Sequence, residues 1–474
     1  MTPGGRRSAV IAALIALLAV SYALRVALVL GGGQGFWPDE SRYLRVLEAV
    51  QQIAGGDVAG GLQAVVGRAD HLGFKLLALV PASLQAGLGL SLAAPAGMLA
   101  LASTFDVLLV YRIARRAGAD GLEALGAALA MAGSNAMFYW SRHLVPYDIA
   151  LACGLALVYV GLKREVRARD SILAGALGFA TFFVYNGYWS LAVSGFALHA
   201  SLALPDMRAT ARRTGWMLVG FAGSAALAVL ALRQALGFDL LSAWRGWSGI
   251  VTQGDLDDGH GMVFGYVWEA ERALALVWGL VAVAVPLAWL RGRRVDGRAW
   301  IWLACALGIV ALLVAGSNLL GKFVVYGRLV RQSIPFLSLL TGYVLFGPWR
   351  RGAGAGWRAP LAAVALGLIA ALNFAAPLRL TFPAEFVARG RALLAERDGV
   401  APAAVDTETG RHLFVNTRFL WPMPPRQALP EGARVLLQAP HPQHFRPYLY
   451  EGCNRRQRAA FLRADLDMKL IEVE

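Results

Sequence analysis

The sequence predicts an all-α polytopic membrane protein that carries a small soluble tail. Of its 474 residues, 57% are hydrophobic. Apolar segments long enough to cross a bilayer, which takes about 20 residues, recur from residue 8 to residue 376. The basic residues gather in short loops between these segments, a distribution typical of the cytoplasmic side of membrane proteins. A soluble fold would not tolerate so many exposed apolar runs.

The apolar segments divide into about eleven predicted transmembrane helices. The first, residues 8–30, follows Arg6 and Arg7, and this basic flank favours a cytoplasmic amino terminus. It is long and lacks a small-residue cleavage site, so we interpret it as a retained helix rather than a signal peptide. The other predicted spans are 94–111, 121–140, 146–162, 171–186, 187–204, 215–233, 271–290, 299–316, 332–348 and 359–376.

Charge and cysteine content narrow the class further. The formal net charge of +15 would suit a nucleic-acid binder, but the positive charges lie in loops and report topology, so we expect membrane lipids and no nucleic acid as partners. Cys153 and Cys305 fall in predicted spans, and only Cys453 lies in a polar region. The sequence therefore implies no disulfide framework.

Residues 72–91 are apolar but are interrupted by Lys75, Pro81 and Gln85. If this segment crossed the membrane, every later basic loop would lie outside, against the positive-inside rule. We therefore expect it to lie along the outer surface or to re-enter the membrane. On this topology the chain is a multi-pass protein of the cytoplasmic membrane, and its polar motifs collect on the outer side.

The end of hydrophobic continuity after Pro377 predicts two domains. Residues 1–376 form a transmembrane domain, and residues 377–474 form a small extracytoplasmic α+β domain. Strand-like patterns in this tail lie at Arg434 to Gln438 and at Met468 to Glu474, among prolines and charges. The tail is too short to be a second enzyme.

The adjacent carboxylates Asp39 and Glu40 follow the first predicted helix directly and are flanked by Trp37 and Tyr43. Two such carboxylates in a membrane cavity raise each other's pKa, and one can act as a general base toward a hydroxyl or amine. The alternative is a solvated helix cap. The interfacial aromatics favour chemistry, and we expect Arg42 and Tyr43 to contact substrate.

A second polar motif runs from Trp140 to Asp148, between two predicted spans. Charged residues at membrane depth usually face a cavity and pair with something. Arg142 suits a phosphate or carboxylate through its planar fork, and Asp148 suits the orientation of His143 or of a substrate hydroxyl. The alternative, equally weighted on this motif alone, is a structural ion pair between Arg142 and Asp148.

A third motif is a basic cluster that the predicted topology places outside, where basic residues are disfavoured. Such a cluster calls for an anionic partner, and a phosphate at headgroup level fits best, with ordinary anionic lipid as the alternative. Its members are Lys322, Tyr326, Arg328 and Arg331.

Other polar residues give weaker signals. His71 and Lys75 add donors to the same site, although each alone more often anchors a segment at the interface. Asp106 lies within a predicted span, where we expect an arginine to neutralise it unless it lines the cavity. Three aspartates at 255, 257 and 258 precede His260, but their spacing matches no complete calcium loop. We therefore predict no metal site.

Together these motifs resemble the GT-C superfamily of membrane glycosyltransferases, in particular the protein O-mannosyltransferases and the lipid A aminoarabinose transferases. The resemblance covers most of residues 1–348, and it rests on the order and common side of the motifs rather than on any one of them. It implies a polyprenyl-phosphate-linked sugar donor, an active site at the outer membrane surface, and a glycan, lipid or protein acceptor.

The resemblance also implies residue roles. Asp39 and Glu40 match the position of the catalytic carboxylate, Asp148 matches the acidic end of the second outer motif, and Arg142 its preceding basic position. Arg328 and Arg331 match the region that holds the donor phosphate. The family's first-loop His-Pro-Pro is replaced by His71-Leu72-Gly73, and a Thr-Lys-Gly turn is replaced by the stretch from Tyr185 to Trp189. The second change removes one expected phosphate contact.

The predicted reaction is a direct displacement with inversion at the sugar. Fixed cations stabilise the departing lipid phosphate while a carboxylate removes the acceptor proton. No cofactor is firmly implied, and the scheme leaves room for a divalent cation. The alternatives are a transporter or lipid flippase, which would place polar residues along a path through the bilayer, and a polymerase or ligase of lipid-linked glycans.

Overall fold

The computed structural model describes residues 3–31, 34, 40–67, 71–163, 167–250, 260–320, 327–347, 357–379, 434–438 and 468–472. Within these ranges the chain is almost entirely helical, and the helices of the first half run in the order α1 (Pro3–Leu30), α2 (Ser41–Ala54), α3 (Val58–Val66), α4 (Leu72–Leu88), α5 (Ala93–Arg116), α6 (Gly121–Ala132), α7 (Asn135–Trp140), α8 (Tyr147–Gly161) and α9 (Ala168–Val184).

The second half of the described chain continues this pattern and adds two 3-10 helices, Asn186–Tyr188 and Gly327–Ser333, each at a connection between longer helices. Its α-helices are α10 (Trp189–Ser201), α11 (Met207–Leu236), α12 (Leu240–Ile250), α13 (His260–Glu271), α14 (Ala273–Leu290), α15 (Gly297–Leu320), α16 (Ile334–Phe346) and α17 (Arg358–Arg379).

The all-α polytopic fold class is confirmed. Among the described residues, seven helices are long and apolar enough to cross a membrane, and all seven coincide with predicted spans. The other four predicted spans are also helical but are shorter than 18 residues, namely α6 with α7, α8, α9 and α10.

The predicted span 121–140 is interrupted at Gly133 and Ser134. The Ser134 hydroxyl accepts a hydrogen bond from the Met137 backbone N–H at 3.3 Å, so it caps a new short helix, α7. Because α7 has only six residues, Trp140 and the turn after it follow closely on this break. This break therefore positions the second polar motif.

Helix α4 lies in the segment 72–91 that is not counted among the predicted spans. It buries polar side chains and exposes apolar ones. Its polar side chains Lys75 and Gln85 are buried, while Leu77, Val80, Leu84 and Leu88 are exposed. This is the reverse of a soluble amphipathic helix, and it suits a helix whose outer side meets lipid. Whether α4 runs along the membrane surface stays a prediction.

Helices α9 and α11 approach closely because glycines replace side chains at their contact. A Cβ atom on Gly175 would lie 2.0 Å from the Met217 carbonyl oxygen, and one on Gly220 would lie 2.0 Å from that of Ile172. Small residues allow such close contact between membrane helices.

The tail contains a two-stranded antiparallel sheet, β1 (Arg434–Gln438) with β2 (Met468–Glu472), in which Leu436 lies opposite Leu470. Both strands coincide with the strand-like patterns in the sequence. The division of the chain into two domains stays a prediction.

Candidate active site

Glu40 joins the first polar motif to the second. One oxygen of its carboxylate, Oε1, accepts a hydrogen bond from the Leu144 backbone N–H at 2.8 Å, and the other, Oε2, lies 3.2 Å from His143 Nδ1. Glu40 and His143 are both buried, and Glu40 makes no side-chain cap bond to α2. Glu40 is therefore not a solvated helix cap. Its neighbour Asp39 lies outside the described residues.

His143 makes two contacts with α7, one through its backbone and one through its imidazole ring. The His143 backbone N–H donates to the Trp140 carbonyl at 3.0 Å, and His143 Nε2 lies 3.4 Å from the Tyr139 hydroxyl. A histidine beside a carboxylate on one nitrogen and a hydroxyl on the other can accept and pass on a proton. The sequence suggested Asp148 as a partner for His143 or for a substrate hydroxyl; in the structure the carboxylate beside His143 is Glu40.

Arg142 closes the end of the first helix. Its guanidinium donates to the Leu28 carbonyl at 3.1 Å and lies 5.8 Å from the centre of the Tyr139 ring. A helix leaves its last carbonyls without internal partners, so a buried arginine there satisfies one of them. Burial lowers the pKa of Arg142 below its ordinary value. Arg142 forms no ion pair with Asp148 in the described structure, so that alternative does not hold.

Asp148 instead pairs with Arg331, 183 residues further along the chain. Both side chains are buried, and the Arg331 guanidinium also lies 5.5 Å from the centre of the Tyr147 ring. The pair joins the start of α8 to the 3-10 helix Gly327–Ser333. It therefore brings the second and third polar motifs together. Both motifs are predicted to lie on the outer side of the membrane.

Gln332 joins the same 3-10 helix to the 3-10 helix Asn186–Tyr188 and to the start of α10. Its amide oxygen accepts hydrogen bonds from the Ser190 hydroxyl at 2.8 Å and from the Leu191 backbone N–H at 3.0 Å. Its amide nitrogen donates to the Gly187 carbonyl at 3.1 Å. Gln332 was not among the predicted site residues, although its position directly after Arg331 in the sequence is a signal that could have indicated it.

A row of rings connects His71 to His143. His71 lies 4.8 Å from Tyr185, Tyr185 lies 4.9 Å from Tyr147, and Tyr147 lies 5.3 Å from Trp140, measured between ring centres. Trp140 in turn lies 5.3 Å from His143. Tyr147 in this row also lies near the Arg331 guanidinium. That His71 contributes to the same site stays a prediction.

Some of the remaining predicted site residues are buried or half-buried in the structure, and others lie outside its described part. The Tyr43 hydroxyl donates to the Gln85 side-chain oxygen at 2.9 Å and is buried, and this burial raises the pKa of Tyr43. Lys75 is fully buried on α4, and Arg42 is half-buried on α2. Lys322, Tyr326 and the side chain of Arg328 lie outside the described part of the structure.

Two charged residues inside membrane spans lie close enough to the Asp148–Arg331 pair to interact with it. Arg25 of α1 and Asp106 of α5 are fully buried, and both interact electrostatically with Asp148 and Arg331. Arg25 also donates to the Ser103 hydroxyl at 3.0 Å. The expectation that arginine neutralises Asp106 fits this arrangement, with two arginines nearby.

Glu271, at the end of α13, holds the amino terminus of α7. Its carboxylate accepts hydrogen bonds from the Ser134 hydroxyl at 2.6 Å and from the backbone N–H groups of Asn135 and Ala136 at 2.9 Å each. These donors form the amino terminus of α7. At the other end of α7, Trp140 Nε1 donates to the Tyr266 hydroxyl at 3.4 Å. Helix α13 therefore holds α7 at both ends.

The site does not show a metal-binding arrangement among the described residues, where no three His, Cys, Asp or Glu side chains group together. The aspartates at 255, 257 and 258 lie outside that part of the chain.

The structure is similar to the crystal structure of ArnT from Cupriavidus metallidurans bound to undecaprenyl phosphate, with a TM-score of 0.50 and 14% sequence identity over 87% of this chain and 69% of that chain. No protein-family model matches the sequence, and no curated protein matches it. At this identity the likeness shows the fold.

Proposed function

We propose that this protein transfers a sugar from a polyprenyl-phosphate donor to an acceptor at the outer face of the cytoplasmic membrane. The observation that carries the proposal is the convergence of three separate polar motifs: Glu40 on His143, and Asp148 on Arg331. The GT-C fold supports it, and so does the polyprenyl lipid bound by the similar protein ArnT. On this proposal the amino terminus is cytoplasmic and residues 377–474 are extracytoplasmic.

In the proposed reaction, the acceptor oxygen or nitrogen attacks the anomeric carbon of the sugar. The bond from that carbon to the phosphate oxygen breaks, and the polyprenyl phosphate leaves with the electron pair. The acceptor proton passes to a carboxylate of the first loop or to the histidine beside it. Fixed cations stabilise the growing charge on the phosphate, which accelerates the step more in a buried site than in water.

The carboxylates have separate proposed roles. Glu40 is committed to Leu144 and His143, which suits a group that orients His143 as the proton acceptor. Asp39 stays the second candidate for the base. Asp148 holds Arg331, so its proposed role is to place that arginine beside the donor.

The donor phosphate has a proposed set of ligands in the basic cluster. Arg331 supplies the buried charge, and Lys322, Tyr326 and Arg328 supply further donors in the same segment. Lys75, buried on α4, adds a positive charge from the first outer region. Arg42, Tyr43, Arg142 and His71 stay proposed substrate contacts.

A transporter is the alternative with an observation in its favour, because Arg25 and Asp106 are charged residues inside spans. Both, however, interact with the Asp148–Arg331 pair. They extend the one site inward rather than mark a second site at another depth. The proposal of surface chemistry therefore accounts for them without a path across the bilayer.

The test uses the full-length protein in the membranes of its own cells, which supply the acceptor. Undecaprenyl-phosphate monosaccharides radiolabelled in the sugar are added, and the measurement is the transfer of label from the lipid donor to other products. We expect Glu40→Gln and Asp39→Asn to lower turnover by about 100-fold or more, the usual contribution of a positioned proton acceptor. Glu48→Gln, on the same helix α2, is the matched control and keeps near-normal turnover. Normal turnover in both first-loop variants would contradict the proposal.

A further inference from the structure

Two arginines near the end of α5 converge on one tyrosine near the end of α8. Arg116 donates a hydrogen bond to the Tyr159 carbonyl at 3.0 Å, and its guanidinium carbon lies 4.0 Å from the centre of the Tyr159 ring. The Arg112 guanidinium donates to the Tyr159 hydroxyl at 3.5 Å and lies 6.0 Å from the same ring centre. We call these three residues the arginine–tyrosine cluster.

The arginine–tyrosine cluster is accessible and lies at a membrane boundary. Arg112 is exposed, and Arg116 and Tyr159 are half-buried. The helix Ala93–Arg116, which is long and apolar enough to cross a membrane, ends at Arg116. Tyrosine and arginine side chains at the ends of spans are typical of the level of the lipid headgroups.

The cluster is separate from the candidate active site. Both Asp148 and Tyr159 belong to α8, Asp148 at its start and Tyr159 in its last turn. At the rise of an α-helix the two residues are about 16 Å apart along the axis. The cluster therefore occupies the other end of α8, which the basic loops predict to be cytoplasmic.

The two positive charges of the cluster have no acidic partner within the described structure. Residues four apart on a helix share one face, so Arg112 and Arg116 repel each other. Among the described residues, no carboxylate forms an ion pair with either of them. Lys163, the next basic residue after Tyr159, is by contrast paired with Asp170. Two like charges held on one ring call for an anionic ligand.

We propose that the arginine–tyrosine cluster binds the phosphate group of an anionic phospholipid, such as phosphatidylglycerol, in the leaflet at that end of the bundle. A guanidinium suits a phosphate because it donates parallel hydrogen bonds to two oxygens. The Tyr159 hydroxyl accepts from Arg112 and can donate its own proton to a phosphate oxygen.

Two features favour a lipid over a soluble anion. The cluster lies between two helices at the end of a span, where basic pockets meet lipid headgroups. Arg116 is already oriented by its contacts with the Tyr159 ring and carbonyl, so binding costs little of its side-chain freedom. These contacts distinguish the cluster from basic residues that only report topology.

The test measures lipid binding to the full-length protein by native mass spectrometry, with phosphatidylglycerol and the zwitterionic phosphatidylcholine as probes. We expect Arg112→Gln to weaken phosphatidylglycerol binding by about fivefold, which corresponds to about 1 kcal/mol, and to leave phosphatidylcholine binding unchanged. Arg112→Lys keeps the charge and should bind phosphatidylglycerol more tightly than Arg112→Gln. Because Arg112 is exposed, neither variant should change the melting temperature.

A matched pair of double variants separates the cluster from the general surface charge. Arg112→Gln with Arg116→Gln should lose more affinity for phosphatidylglycerol than Arg112→Gln alone. The control is Arg291→Gln with Arg294→Gln, which removes the same charge just beyond the span Ala273–Leu290. Both control arginines are exposed and contact no ring or carboxylate in the described structure. The control should keep near-normal affinity.

Three outcomes would overturn this inference. Equal losses in the two double variants would show that binding follows the surface charge rather than the cluster. Unchanged phosphatidylglycerol affinity in Arg112→Gln and in its double variant would exclude the site. Displacement of the lipid by excess inorganic phosphate, but not by chloride at equal ionic strength, would indicate a site for soluble phosphate. The assay uses no sugar donor or acceptor, so its result is independent of the proposed function.

Discussion

At the scale of single residues, the site depends on buried charges whose partners are specific. The Asp148–Arg331 pair is taken out of water on both sides, so its attraction has to offset a large desolvation cost. Such a pair need not stabilise the folded protein overall. Loss of either partner, however, leaves the other charge buried without compensation and lowers the stability. Arg25 and Asp106 make the surrounding charges balance.

We expect Asp148→Leu and Arg331→Met each to destabilise the protein by about 3–5 kcal/mol, because each leaves an unpaired buried charge. The double variant should be more stable than the sum of the two effects predicts, since Arg25 and Asp106 still cancel. The measurement is thermal unfolding in detergent, and all three variants should lack transferase activity. Strictly additive losses would contradict a direct coupling.

Glu271 predicts a pH dependence of stability. Burial raises the pKa of Glu271 from 4.5 to about 7 and outweighs the opposing effect of the Ser134 hydrogen bond. Because the folded state holds this proton more tightly than the unfolded state, stability from this group falls as the pH rises from about 4.5 to about 7. The Glu271→Gln variant cannot titrate there.

The difference in melting temperature between pH 5 and pH 8 should therefore be smaller, or reversed in sign, in Glu271→Gln relative to the unmodified protein. Thermal unfolding at several pH values checks this directly. Identical pH profiles for the two proteins would show that Glu271 does not titrate in this range.

At the scale of elements, the positions of the helices were more predictable from the sequence than the points at which they are interrupted. The interruption of the predicted span 121–140 is signalled by Gly133, Ser134 and Asn135, since a serine followed by a helix-forming run is a typical amino-terminal cap. Averaged hydropathy conceals this signal because the flanking residues are strongly apolar. The shorter helices that result place His143 and Leu144 beside Glu40.

The close contact of α9 and α11 gives a test on one helix. A side chain at Gly220 would meet the Ile172 backbone, whereas a Cβ atom at Gly223 would have no neighbour within 4 Å. We expect Gly220→Ala to lower stability by about 1–3 kcal/mol through overpacking. Gly223→Ala should be neutral or stabilising by about 0.5–1 kcal/mol, the ordinary helix preference for alanine.

Melting temperatures of these two variants, measured side by side, check the packing. Equal behaviour of the two variants would mean that the helices do not approach as closely as the structure indicates.

At the scale of the whole molecule, the basic loops predict the orientation of the bundle in the membrane. Arg293 lies in a loop predicted to be cytoplasmic, and Cys453 lies in the tail predicted to be outside. We expect a membrane-impermeant maleimide to label Cys453 in intact spheroplasts, and Cys453→Ser to abolish that labelling. With Cys453 replaced, Arg293→Cys should be labelled only after permeabilisation. Labelling of Arg293→Cys in intact spheroplasts would reverse the proposed orientation.

Hydropathy, length and charge bias act locally along the chain, so the class of the protein, nearly every long helix and the three polar motifs are predictable from the sequence. The partners of the polar side chains are not, and they become visible only in the packed helices. Asp148 meets Arg331 rather than Arg142, Glu40 rather than Asp148 lies beside His143, and Asp106 joins the site from within a span. Such pairings join residues separated by as many as 183 positions. They depend on how helices pack, and no local pattern records that.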